Sequence, residues 1–266
     1  MNNRDLPFFS ELMLGISNKN FICPKPVPNK SNEYISDIDN KKFMIVSFLN
    51  GKSKKNLSPT DCKIIGTETA KLHEITKNFS FQRKNDLSIK SWRKIFDQVK
   101  NSCNKIHKDL PKLIEANLVD VEKNWPKNLP SGIIHADLFN DNIFFRKNEF
   151  SGFIDFYFSC NDFLIYELAI CINALCFDYK KGKYNLNKSK VLNLIKGYEK
   201  VRRISINEKN SLNILCRAAA LRYLLTRIYD YFNTPKTALI KVKDPKEYFQ
   251  KLIIHNKLRN YKDYIN

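Results

Sequence analysis

Glycine is scarce in this chain: there are seven in 266 residues, and no two of them are separated by a single residue. A Gly-x-Gly loop of the kind that cradles phosphates is therefore missing from the sequence. The seven cysteines form no Cys-x-x-Cys pair and stand at no metal-ligand spacing, which argues against a cysteine metal site. Cys160, Cys171, Cys176 and Cys216 lie in or beside apolar runs and read as buried free thiols in a reducing compartment. No apolar run approaches the roughly 18 residues needed to span a bilayer. The opening residues "MNNRDLPFFSELML" lack a basic region followed by a clean apolar core, so no secretory signal is visible. These absences predict a cytoplasmic protein with no membrane partner.

Acidic residues are also in deficit, 27 against 46 basic ones, for a formal charge of +19. Such a charge suits phosphate polymers when it is clustered. Here lysine outnumbers arginine 36 to 10, and the lysines are scattered through every segment. That pattern reads as a solvated basic surface and predicts no nucleic-acid partner. The hydrophobic content of 43%, with 12% aromatics, is that of a chain that buries a full core. Nothing in the sequence speaks to oligomeric state.

"DLPFFSELMLGIS" repeats apolar residues at helical spacing behind an Asp-x-Pro start and predicts a short helix before Gly15. "EYISDIDNKKFMIVSFLNG" places two apolar strands about Asp39-Asn40 and predicts a hairpin ending at Gly51. From Ser58-Pro59, a cap followed by proline at the first helical position, the pattern turns helical. Trp92, Ile95, Phe96, Val99, Cys103 and Ile106 paint one face of an amphipathic helix, and Leu110, Leu113, Leu118 and Val121 continue in a second. Residues 163–177, "FLIYELAICINALCF", predict a buried helix, and two more periodic segments lie near 191–201 and 208–232.

One stretch interrupts the helices: "GIIHADLFNDNIFFRKNEFSGFIDF", residues 132–156. Two apolar runs each end by delivering an acid, Asp137 and Asp155, and the link "RKNE" between Ile143–Phe145 and Gly152–Ile154 is of hairpin type. Asn142 then stands at the hairpin entry and Asp155 at its exit. Phosphoryl transfer needs an acid to orient a hydroxyl and oxygen ligands to hold magnesium on the nucleotide. The spacing His-x-Asp-x-x-x-x-Asn, followed by an Asp after a hairpin, supplies that set. Asp137 would orient the hydroxyl and take its proton, Asn142 and Asp155 would be hard oxygen ligands for Mg²⁺, and His135 would brace the loop. The bland alternative is a polar turn capped by Asp and Asn.

"IIHADLFNDNIFF" with "GFIDFYFSCND" resembles the catalytic and metal-binding loops of the aminoglycoside phosphotransferase-like kinases. "DLPFFSELM", "CPKPVP", "FLNG", "LHEIT", "NLPSGIIHADLF", "DFYFSCNDFLIYELAICINALCF" and "ALRYLLTRIYDYFNTP", in that order over nearly the whole chain, resemble the bacterial homoserine kinase family of that fold. The resemblance implies an α+β, protein-kinase-like fold, with residues 1–50 a remnant of the N-terminal lobe and 51–266 a helical C-terminal lobe carrying both loops. It implies transfer of the ATP γ-phosphoryl group to the hydroxyl of L-homoserine, with Asp137 as base, Asn142 and Asp155 on Mg²⁺, and Phe48 and Leu49 beside the nucleotide. It also marks Glu167 as an acid at the start of a helix behind the site, where either a bracing role or a favourable helix dipole would account for it. His73 reads as a packed helix residue.

Homoserine is a zwitterion, so its site needs a cation and an anion or carbonyls; Asp162 and Arg222 are the principal candidates, with Asn161, Arg227 and Asp230 beside them. The chain departs from the family in one respect. It opens at the helix that follows the phosphate-gripping lysine of such kinases, which predicts a truncated or misassigned start and impaired activity. Two other readings stay open: a kinase of the same fold acting on an aminoglycoside, choline or another alcohol, and a catalytically impaired binding module.

Overall fold

The computed structural model describes residues 3–235 and 237–266; Met1 and Asn2, the first residues of the stretch read above for a secretory signal and of the expected N-terminal lobe, lie outside them. In chain order the helices are α1 (Leu6–Ser17), α2 (Pro59–Thr76), α3 (Ile89–Cys103), α4 (Leu110–Lys123) and α5 (Leu164–Leu175). They continue with α6 (Lys188–Glu199), α7 (Ile206–Asn233), α8 (Lys246–Lys257) and α9 (Lys262–Ile265). The strands are short: β1 (Pro26–Val27), β2 (Ser36–Ile38), β3 (Lys41–Phe43), β4 (Ile45–Val46), β5 (Lys52–Ser53) and β6 (Ser131–Ile134). β7 (Ile143–Arg146), β8 (Glu149–Phe153), β9 (Cys160–Phe163), β10 (Phe177–Lys180) and β11 (Lys183–Leu186) complete them. The class is α+β. Among the described residues, no helix is long and apolar enough to cross a membrane.

The chain forms two compact units that are discontinuous in sequence. The first comprises Met1–Asn85, Pro130–Leu175 and Ser189–Ile204. In it, α1 buries Leu6, Phe9, Leu12, Met13 and Ile16 along one face and runs past Gly15, which lies so close to the Phe79 ring that a Cβ would meet it at 2.8 Å. Gly15 is thus a close-approach residue and not a stop. Asp39 and Asn40 both take positive φ (50° and 61°) and close the β2–β3 hairpin, but that hairpin ends at Phe43. β4 leaves it to pair with β1, and Lys52–Ser53 joins β7 and β8 in a three-stranded sheet. The Ser58 hydroxyl accepts from Asp61 N while the Asp61 carboxylate accepts from Ser58 N, a complete capping box for α2. The apolar helix α5 is buried almost all round beside the antiparallel pair β6–β9.

The second unit comprises Asp86–Leu129, Cys176–Lys188 and Ser205–Asn266. Its amphipathic α3 turns Trp92, Phe96, Val99 and Cys103 inward, as the spacing predicts, but ends before Ile106. On α4 the inward residues are Leu110, Ile114, Leu118 and Val121, so Ile114 takes the place expected of Leu113. The predicted buried helix stops at Leu175, and Phe177 begins the β10–β11 hairpin, closed by Lys181 and Gly182 at positive φ. All seven cysteines are free and buried, and burial pushes the Cys23 thiol up to about 12 and Cys103 up to about 11.

Candidate active site

β6 delivers the chain to His135 and the loop that follows. Ala136 adopts φ 63°, a left-handed conformation that costs a non-glycine residue about 1–2 kcal/mol. The buried carboxylate of Glu167, in the first turn of α5, holds it there. It accepts the backbone N–H of His135, and the N–H of Ala136 at 3.1 and 3.2 Å from its two oxygens. Of the two roles open to Glu167, the geometry is that of the brace.

His135 is fully buried, and its Nε2–H donates to the Ile154 carbonyl at 2.9 Å. Burial holds its pKa down to about 4, so at neutral pH the ring is uncharged. It ties the loop to the residue immediately before Asp155, the bracing role predicted for it. His73 is likewise buried and neutral, with its pKa lowered to about 3 by burial and then by Arg202. Its Nδ1 lies 2.7 Å from the Tyr198 hydroxyl and its Nε2 4.0 Å from Glu167, which makes it a packed residue behind the loop.

The loop closes on itself through Asn142. Its amide Nδ2 donates to the Asp137 backbone carbonyl at 2.8 Å and to Asp137 Oδ2 at 3.1 Å. Asn142 ends the 3-10 turn Asn140–Asn142 and runs directly into β7, whose first residue Ile143 pairs with Phe153 of β8. Ile154 N–H then donates to the Asn142 carbonyl at 3.0 Å. The hairpin thus returns the chain to its own entry before delivering Asp155, which stands at φ 64°, ψ 57°.

The donor set suits magnesium. With Nδ2 of Asn142 given to Asp137, the amide oxygen is the atom left to act as a ligand. Desolvation raises the Asp155 pKa; the neighbouring Asp141 carboxylate adds to the rise, and the Tyr157 backbone N–H opposes it. A divalent cation would relieve that like-charge contact. Among the described residues no cluster of three or more His, Cys, Asp or Glu could hold a metal unaided. Two protein oxygens completed by substrate phosphates are the usual magnesium arrangement. Asp141 was not singled out from sequence; its place directly before Asn142 is the only signal it carries.

The other expected site residues are placed less uniformly. Phe48, 85% exposed, lines a cleft of about 550 Å³ with Asn50, Gly51, Lys52, Phe145, Arg146 and Lys147. Leu49 instead lies over Gly152, its Cδ2 2.6 Å from where a Cβ would stand. Asp162 is tied into the sheet, accepting from Asn85 Nδ2 at 2.7 Å and from Phe163 N at 2.8 Å. Arg222 is in the second unit, 1% exposed, with its guanidinium over the Tyr223 ring.

Glu167 gives a direct test of the brace. Glu167→Ala removes the acceptor of two buried N–H groups, and hydrogen bonds to a charged group contribute about 1.5–3 kcal/mol each. A loss of about 3 kcal/mol or more in denaturant unfolding is expected, with Glu167→Gln retaining part of it. An alanine variant as stable as the parent would reduce Glu167 to a helix-start acid.

Comparison with known proteins shows the family and the fold. Residues 2–184 match the phosphotransferase enzyme family. The chain is 40% identical to a homoserine kinase of Agrobacterium fabrum over 264 residues, covering 99% of this chain and 81% of the relative. It is 42% identical to one of Xanthobacter autotrophicus with the same coverage. Among solved structures, an amicoumacin kinase in complex with AMP-PNP, Ca²⁺ and Ami superposes with a TM-score of 0.70 at 12% identity, covering 96% of this chain and 77% of that one. A Plasmodium vivax ethanolamine kinase does so with a TM-score of 0.66 at 18% identity, covering 99% and 74%. The structural likeness establishes the protein-kinase-like fold of the aminoglycoside phosphotransferases, and the sequence identity establishes the nearer kinship: this chain belongs to the phosphotransferase enzyme family and, within it, to the homoserine kinases.

Proposed function

We propose that this protein transfers the γ-phosphoryl group of ATP to the side-chain hydroxyl of L-homoserine, as a cytoplasmic enzyme of threonine biosynthesis with no nucleic-acid or membrane partner. The observation that carries the reading is the pair of hydrogen bonds from Asn142 to Asp137, which join the proton acceptor to a metal ligand in one rigid turn. Asp137 accepts a hydrogen bond from the acceptor hydroxyl, aims the hydroxyl oxygen at the γ-phosphorus and takes the proton as the new P–O bond forms and the bond from the γ-phosphorus to the bridging oxygen breaks, releasing ADP. Glu167 and His135 keep that carboxylate in place through the loop backbone. Asn142 and Asp155 would hold magnesium, which would neutralise charge on the nucleotide phosphates. The cleft beside Phe48 receives the nucleotide, with Leu49 supporting it from the Gly152 side. The lobe division, 1–50 and 51–266, belongs to the same reading.

The acceptor is tested by coupled ADP release with L-homoserine, choline and an aminoglycoside in parallel. Preference for L-homoserine by at least tenfold in kcat/KM is expected; a higher value with either of the others would move the assignment to that substrate. The metal site is tested separately, by titrating Mg²⁺ against bound nucleotide. Asp155→Ala is expected to abolish the Mg²⁺ dependence and Asn142→Ala to weaken it less, because a carboxylate is the stronger ligand. Unchanged metal dependence in both variants would make the hairpin purely structural.

A further inference from the structure

We infer that Arg83 is a positioning residue for the metal-binding loop, coupling α1 to the Asp155 carboxylate; the inference rests on the reading of Asp155 as a magnesium ligand. Arg83 lies on a connecting segment far from Asp155 in sequence, yet it touches both ends of the relevant structure. Its Nε donates to Asp5 Oδ2 at 3.0 Å, and both side chains are mostly buried, at 12% and 23% exposure. Asp5 stands at the N-cap position of α1 but makes no side-chain capping bond there. Its carboxylate is given to Arg83 instead. The guanidinium also lies over the ring of Phe9, 5.2 Å from its centroid, so α1 is gripped at its start and along its buried face.

Further contacts of Arg83 are to the chain leaving Asp155. Its Nη1 donates to the Ser159 carbonyl at 3.3 Å, its backbone N–H donates to Asn161 Oδ1 at 2.8 Å, and its carbonyl accepts from Asn161 N at 2.7 Å. Between these anchors and Asp155 lies Tyr157. The Tyr157 backbone N–H donates to the Asp155 carboxylate, and its ring stands edge-on to Phe9 at 5.6 Å. The path from helix to ligand is therefore continuous: Asp5, Arg83, Phe9, Tyr157, Asp155. His135 fixes the entry to this loop through Ile154; Arg83 fixes its exit. A left-handed aspartate held between two anchors presents its carboxylate in one direction, and releasing one anchor lets that direction wander.

Groups that orient a metal ligand from behind typically change metal affinity 10–100-fold when removed. The test follows fluorescent mant-ADP binding as MgCl₂ is added, in the parent, Arg83→Gln, Arg83→Lys and Asp155→Ala proteins. Arg83→Gln is expected to raise the Mg²⁺ concentration for half-maximal enhancement about tenfold, leaving nucleotide affinity in EDTA unchanged. Arg83→Lys keeps the charge facing Asp5 but cannot also span to Ser159 with a planar fork, so it should fall between. A merely structural role would weaken binding equally with and without Mg²⁺. That result, or a half-saturation within twofold of the parent while Asp155→Ala abolishes the enhancement, overturns the assignment of Arg83 and leaves the metal site standing. Enhancement that survives in Asp155→Ala would overturn the metal site and this inference together.

Discussion

Asp137→Asn is expected to lower kcat with L-homoserine by about 10²–10⁴-fold, the contribution typical of a positioned acid or base, while leaving nucleotide affinity and melting temperature unchanged. The substitution is isosteric, and the amide oxygen of the new Asn can still accept from Nδ2 of Asn142, which also bonds to the residue 137 backbone carbonyl. The loop therefore keeps its shape. In the proposed mechanism, what disappears is the charge that orients the hydroxyl and the site that receives its proton. His135 cannot take over: it is buried with its pKa lowered to about 4, and its Nε2–H is given to the Ile154 carbonyl. Asp155, across the hairpin, is committed to the metal in this reading. Stopped assays with L-homoserine and ATP, alongside a thermal melt of each protein, measure both halves of the expectation. A variant within tenfold of the parent kcat would remove Asp137 from the chemistry.

The meeting of Asp137 and Asn142 was legible in the sequence because the turn that joins them is local. Five residues and one turn separate them, and the hairpin that returns the chain to Asp155 announces itself through "RKNE", whose Lys147 and Asn148 take positive φ in the structure. The same holds for the Ser58 capping box and the Asp39-Asn40 turn: each is decided by side chains within a few residues of the backbone they satisfy. What stayed hidden depends on partners distant in the chain. Glu167 braces residues 31 and 32 positions away, so its carboxylate could be read equally as a dipole-favoured helix start. β4 looked like the continuation of the β3 hairpin because only the arrival of Pro26–Val27 takes it elsewhere. Arg83 gave no signal at all, since its meaning lies in Asp5 and Ser159, 78 and 76 residues away. The end of the predicted helix at 177 was missed for a different reason. Phe177 to Leu186 alternates weakly, and the turn Lys181-Gly182 is the local cue that the apolar run ahead of it masks.

A large effect on stability is expected where α2 crosses α6. Gly66 and Gly197 face each other's helices reciprocally: a Cβ on Gly66 would stand 2.0 Å from the Leu194 carbonyl oxygen, and one on Gly197 would stand 1.9 Å from that of Lys63. Both obstacles are backbone, so neither can rotate away. In an exposed helix, alanine in place of glycine is favourable by roughly 0.8–1.0 kcal/mol; here the clash reverses the sign, because relief requires the helices to separate. Separation would break the bond from the Thr67 hydroxyl to the Gly197 carbonyl at 3.0 Å. It would also pull His73 from Tyr198 at 2.7 Å, and His73 lies against Glu167, the brace of the catalytic loop. Gly66→Ala and Gly197→Ala are each expected to cost about 3 kcal/mol, the upper end of ordinary overpacking, which corresponds to a fall of roughly 6–12 °C in melting temperature for a chain of this size. The double variant should lose less than the sum, since the first Cβ already opens the crossing that the second would have to open. Melting curves of the three variants decide the matter: single variants as stable as the parent, or more so as helix propensity alone dictates, would mean that the two helices do not meet at these glycines.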